Sequence, residues 1–321
     1  MKPKSLILIV LALIGLNSVI LGQQKYAVLI AGDNYAENVP FSDQWNQGAG
    51  MGQYGFDEFW NDCFLFWELL YTKEGYSNEN IYVLYADGND LTFYLQAERY
   101  QSMPTYGFNI TDQAATKANI HHLFTITLPS FITQDDFLYV WIISHGGNTN
   151  SDNNGDAYFY TMNGELIYDY ELAEWTDNIV ANRKVFHLQF PKAGGFGRDL
   201  QNDNTYIYTS CNNYESSFRA DNYPVSENEV ISNITYNHGE FNFHTYSALN
   251  GQTPAYSSTY NSQPLSDANA DENEFISFGE SKFWNDSQHT TTETPESFGD
   301  IGLYSALDYP TLFIEDFYED A

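Results

Sequence analysis

The chain has 321 residues, 43% of them hydrophobic, and a formal net charge of −31 at pH 7. That length and apolar content suit one large α/β domain or two small ones and argue against a disordered or fibrous chain. Twelve Lys and Arg against 43 Asp and Glu argue against nucleic acid or anionic lipid as a partner, because neutralising phosphates needs clustered basic side chains.

The first residues run from Met1, Lys2 and Lys4 through an apolar stretch, Leu6 to Ile20, to Leu21, Gly22 and Gln23. A basic start, an apolar run and a small residue at the break predict a signal peptide over 1–23, cleaved after about Gly22; an N-terminal membrane anchor is the alternative. The protein is therefore expected to be secreted or extracytoplasmic, with no membrane association after cleavage. Sequons at Asn109, Asn233 and Asn285 permit N-glycosylation in a eukaryotic host. Cys63 and Cys211 either pair or remain buried thiols. The acid excess suits cation binding or plain solubility.

Apolar, β-rich runs at 25–31, 80–85, 136–143, 184–190 and 205–210 predict strands buried on both faces. Helical spacing at 56–74, 111–127 and 170–182 alternates with them, which predicts an α/β sandwich around a mainly parallel sheet. In such sheets, chemistry gathers at the carboxyl ends of the strands. Polar, Gly- and Asn-rich loops at 38–55 and 148–156 emerge there. Beyond about residue 250 the periodicity is weak, and the chain ends in an acidic tail.

His145, in DFLYVWIISHGG, closes a strand and is followed by Gly146 and Gly147. A histidine there can serve as general base, and the glycines let a substrate carbonyl approach backbone N–H donors, with Gly146 as the oxyanion-hole candidate. The next strand runs into VFHLQFPKAGGFGRDL, and in a thiol peptidase of this architecture a cysteine should stand at its tip.

The strings KYAVLIAGDNY, FWNDC, GYSNENIYVLYADG, DFLYVWIISHGG, GGFGRDL and TSCNNYESSF, in this order, resemble the legumain family of cysteine endopeptidases, particularly its secreted bacterial-type and protist-type relatives. The likeness covers about residues 25 to 220 and extends more weakly to about 300. It implies a caspase-like three-layer sandwich, with a mainly parallel central sheet of about six strands and helices on both faces, over 24–250. Residues 251–321 are then an acidic C-terminal extension, packed on that domain or continuous with it.

Laid on the family pattern without gaps, Gly194, Gly195 and Phe196 match its Gly-Gly-Phe, Ala193 falls on its serine, and Pro191 falls on its nucleophilic cysteine. Proline has neither a thiolate nor a backbone N–H for the oxyanion. One lost oxyanion donor costs roughly 10² to 10³ in rate, and a lost nucleophile leaves only residual catalysis. The resemblance also implies that Gln189 and Ser216 or Ser217 line the pocket for the P1 side chain. Gln189 is neutral where the family often carries an acid, and Phe59 and Trp60 replace a basic pair, a departure from the family preference for Asn or Asp.

The expected function is thus a secreted, catalytically inactive homologue that binds a peptide or protein, needing no cofactor for catalysis. The alternative is an active cysteine endopeptidase using His145 with a relocated nucleophile such as Cys211; a purely structural secreted protein is the third reading. Separately, Asn269, Asp271, Asn273, the carbonyl of Phe275, Ser277 and Glu280 fall at positions 1, 3, 5, 7, 9 and 12 of an EF-hand-like loop and predict calcium. Glu274 at the place of the turn glycine and Asn269 at the first position depart from that pattern, and an acidic loop capping a helix is the other reading.

Overall fold

The structure, a computed structural model, describes residues 23–32, 57–91, 98–150, 155–220, 229–231, 234–254, 259–260, 263–268, 276–288 and 293–299. The expected signal peptide, apart from its last residue, and the whole of the loop at 38–55 lie outside the described residues.

Strands β1 (Lys25–Ala31), β2 (Ile81–Tyr85), β3 (Phe137–Ile143), β7 (Arg183–Gln189) and β8 (Thr205–Thr209) form a parallel array. A three-stranded antiparallel sheet, β4 (Gly146–Asn148), β5 (Ala157–Tyr160) and β6 (Leu166–Tyr168), grows from the end of β3. Two short antiparallel pairs follow, β9 (Glu229–Ile231) with β10 (Ile234–Tyr236) and β11 (Thr259–Tyr260) with β12 (Gln263–Pro264). Finally β13 (Glu296–Phe298) joins the main sheet antiparallel to β8. The six strands lie in the order β13-β8-β7-β3-β1-β2, so the chain reverses its direction of travel across the sheet at β1.

Side chains alternate cleanly between the two faces, as a period of two requires. Leu29, Tyr139, Trp141, Val185 and Tyr208 enter one core, with Phe64 and Phe66 of α1 (Asp57–Thr72). Val28, Val140, Ile142, Leu188 and Ile207 enter the other. The first core is completed by Phe241 and Leu249 of a helix at Glu240–Asn250 and by Phe278 of a helix at Phe278–Gln288. The second is covered by helices at Lys117–His122, Asp169–Asp177 and Gly195–Leu200. With the five-residue helix Ser102–Tyr106, these are α2 (Ser102–Tyr106), α3 (Lys117–His122), α4 (Asp169–Asp177), α5 (Gly195–Leu200), α6 (Glu240–Asn250) and α7 (Phe278–Gln288). The protein is thus α/β, with helices on both faces of a mixed, mostly parallel sheet.

Strand boundaries fall within a residue of those read from the sequence, because buried parallel strands are apolar on both faces. Helix α3 is shorter than the expected 111–127. Residues 110–113 are instead drawn out beside β2: Ile110 and Thr111 donate their N–H groups to Asp90, and Asp112 donates to the Val83 carbonyl at 2.9 Å. The helix begins only at Lys117, where the Thr116 hydroxyl accepts from Asn119 N–H at 3.2 Å, and it runs on through a π-helical turn at Leu123–Thr127. The stretch expected to be helical to 182 ends at Asp177. Among the described residues beyond 250, Glu296–Phe298 supply β13 to the sheet and Phe278 enters the first core. Among the described residues no helix is long and apolar enough to cross a membrane.

Candidate functional site

Strands β3 and β7 are parallel neighbours with Ile143 opposite Gln189, so His145 and Pro191, each two residues further on, emerge at the same level. The Ser144 N–H still donates to the Gln189 carbonyl at 3.2 Å, which carries the pairing one residue past the strand. Both residues line one open cleft, together with Glu58, Phe59, Ile143, Ser144, Gln189, Ser217, Phe218, Arg219 and Gly239.

His145 is held from behind, its carbonyl accepting from Tyr160 N–H at 3.0 Å, while its ring sits 5.4 Å from that of Phe59. Burial, and secondarily the Arg219 cation, push its pKa down to about 4, so the imidazole is neutral over the physiological range. Gly146 pairs with Phe159 at the non-hydrogen-bonded step between His145–Tyr160 and Gly147–Tyr158, which turns its amide away from β5. It also lies directly on the next strand: a β-carbon here would stand 2.7 Å from the Pro191 carbonyl oxygen.

Pro191 has a local reason of its own. Ala193 N–H donates to the Phe190 carbonyl at 3.1 Å, closing a four-residue turn with Pro191 second and Lys192 third. Lys192 has φ +71°, the third-position conformation of a type II turn, whose second position favours proline. The tip of β7 is therefore built as a turn, with the Lys192 ammonium and amide bonded to the Tyr214 and Glu215 carbonyls.

Gln189 borders the cleft as expected, but its amide is committed. Its Oε1 accepts from Asn242 N–H at 2.8 Å, capping α6 from another element, and its Nε2 donates to the Phe218 carbonyl at 3.3 Å. Gly239 makes room for it, since a β-carbon there would lie 1.8 Å from that nitrogen. Ser217 lines the cleft, whereas Ser216 is exposed and outside the lining. Glu58 and Arg219 pair at 2.8 Å beside it.

The wall carrying Ser217 to Arg219 is fastened by the end of the described chain. Phe218 N–H donates to Glu293 at 2.7 Å, and Thr294 donates to Glu215 through both its amide and its hydroxyl, at 2.8 and 3.1 Å. Burial raises the pKa of Glu293 well above the carboxylate range, while the Phe218 N–H works against that rise.

Cys211 is fully buried in the second core, outside the cleft lining, and its thiol faces the Phe190 and Glu215 carbonyls at 3.4 and 3.6 Å. Burial pushes its pKa up to about 11, which disfavours the thiolate a nucleophile requires. Cys63 is buried in the opposite core, and both cysteines are free thiols. The sheet between them rules out the disulfide.

A buried polar network behind the cleft was not anticipated. Asp62 on α1 accepts from His238 Nδ1 at 2.8 Å, Gly239 N–H at 2.9 Å and Asn242 Nδ2 at 3.0 Å. His238 Nε2 lies 3.4 Å from the Tyr100 hydroxyl, which donates to Glu229 at 2.5 Å. Asn242 in turn accepts from the Trp141 indole at 3.2 Å. The only sequence signal was polar residues within the apolar α1 pattern. Asp62 thereby fixes the start of α6, and α6 fixes Gln189.

Of the expected calcium ligands, Asn269, Asp271, Asn273 and Phe275 lie outside the described residues. Ser277 and Glu280 form a capping box at the start of α7: the Ser277 hydroxyl accepts from Glu280 N–H at 3.1 Å and Glu280 accepts from Ser277 N–H at 2.8 Å. Among the described residues no group of three or more His, Cys, Asp or Glu is arranged to hold a metal ion. No family model matches the chain, and a search of curated proteins finds no match.

Proposed function

We propose that the chain is a secreted, catalytically inactive homologue of the legumain-type cysteine endopeptidases, on a caspase-like variant of its α/β fold, that binds a peptide or protein in the cleft at the ends of β3 and β7. The supporting observation is the company His145 keeps. A neutral imidazole lines the cleft with Pro191, at the level where a nucleophile would stand, and Pro191 offers neither thiol nor amide. What remains is a concave, partly apolar site without attacking chemistry, which suits binding. Calcium at 269–280 belongs to the same proposal, supported by the spacing of its oxygen donors.

The reading that uses Cys211 has little support, because its thiol is turned to backbone carbonyls inside the core. The test is turnover of fluorogenic peptides carrying Asn, Asp or Arg between pH 4 and 8. Wild type should release no product, and Pro191→Cys should acquire a thiol whose alkylation slows when His145→Ala is added. Wild-type turnover abolished by Cys211→Ala would overturn the proposal in favour of the active enzyme.

A further inference from the structure

We infer that the cleft selects a peptide by a large apolar side chain, aromatic above all, and not by an acid, an amide or a cation; this rests on the binding role proposed above. Three of the polar residues that border the cleft, Gln189, Ser144 and Glu58, are engaged with the protein itself. Gln189 spends its Oε1 on Asn242 N–H and its Nε2 on the Phe218 carbonyl, at 2.8 and 3.3 Å. The Ser144 hydroxyl donates to the Tyr160 carbonyl at 2.7 Å. Glu58, only 4% exposed, already holds the Arg219 guanidinium at 2.8 Å, so each of these two charges is partly met by the other before a ligand arrives.

The backbone of the wall is committed as well. Phe218 N–H bonds Glu293 at 2.7 Å, and its carbonyl accepts from Glu240 N–H at 3.0 Å as well as from Gln189. At this residue the wall offers a visitor its ring and no strand-like hydrogen bonds. Phe218 is 40% exposed, and Tyr214 on the same segment is 61% exposed. Phe59 from α1, Ile143 from β3 and Pro191 from the turn complete an apolar lining drawn from separate elements. His145 adds no charge in the neutral range, since burial holds it uncharged. An aromatic side chain gains from such surroundings by both area and ring geometry, whereas an Asn or Asp would give up hydration against the apolar side chains of Phe59, Ile143, Pro191 and Phe218.

The experiment is fluorescence anisotropy at pH 7 with the full chain and labelled hexapeptides that differ only at one central residue, Phe, Ala, Asn, Asp or Arg. The Phe peptide should bind about tenfold or more tighter than the others, the low end of what burying a large apolar side chain provides. Phe218→Ala should erase most of that preference. Because Phe218 is exposed, this variant avoids the folding risk of the nearly buried Phe59, for which Phe59→Leu with a melting control is the second variant. Equal or tighter binding of the Asn, Asp or Arg peptide would overturn the apolar selection and leave the binding role standing. Failure of every peptide to bind a folded protein would remove the binding role, and this inference with it.

Discussion

Gly146 and Pro191 touch through their backbones: a β-carbon on Gly146 would reach to 2.7 Å of the Pro191 carbonyl oxygen and 2.9 Å of the Tyr158 carbonyl oxygen. Gly146 is thus needed for packing at the strand ends whether or not any bond is broken there. Gly146→Ala should lower stability by about 1–3 kcal/mol through this overpacking. Urea unfolding measures it, and an unchanged midpoint would show that the strand ends are looser than the contact implies.

Asp62 receives three donors in a fully enclosed site, so its loss should be far worse than that of a surface carboxylate. Asp62→Ala leaves His238, Gly239 and Asn242 without their acceptor and should cost about 3–5 kcal/mol. Asp62→Asn keeps one acceptor and should cost less. The order of the two melting temperatures is the readout, and near-equal values would show that the charge, not the hydrogen-bonding shape, is what α6 requires.

Acid should weaken the fold through buried histidines. Burial pushes His187 down to about 3, partly opposed by the Asn242 side chain, and pushes His145 down to about 4. A depressed histidine means the unfolded chain binds the proton more readily, so this contribution is present above about 6.5 and is lost as pH falls toward 3 to 4. Asp169 has the opposite sign. Burial raises it to about 6, so its contribution is present below about 3.8 and is lost as pH rises through 6. His187→Phe should flatten the loss of unfolding free energy on acidification, whereas Asp169→Asn should steepen the same curve. Identical slopes in all three proteins would refute both assignments.

Ser277 and Glu280 cap α7 reciprocally, and Ser277→Ala should cost about 1 kcal/mol in the presence of a chelator. Calcium should then raise the wild-type melting temperature and leave Glu280→Gln unmoved, since position 12 supplies the decisive carboxylate of such a loop. Calorimetric titration with no heat in the wild type would end the calcium reading and leave Glu280 as a cap.

The sheet was readable because a strand buried on both faces cannot disguise itself: 25–31 and 136–143 are apolar almost throughout, and parallel neighbours in register carry their end residues to one level. That made the meeting of His145 with Pro191 foreseeable. Three other features are set by partners far away in the chain. Asp62 and His238 are 176 positions apart, and only the packing of α1 against the start of α6 brings them together. Gln189 looks like a pocket residue from its place beside Pro191, but the approach of Gly239 turns it into a brace. The extended course of 110–113 was hidden for the same reason: its hydrogen-bond partners, Asp90 and Val83, come from elsewhere in the chain.

The wall of the cleft depends on the far end of the chain, where Glu293 and Thr294 fasten the segment around Phe218 and Glu296–Phe298 complete the sheet. During synthesis, then, the parallel strands through β8 can pair while the ribosome is still working, but the cleft cannot acquire its finished wall until residue 298 has emerged.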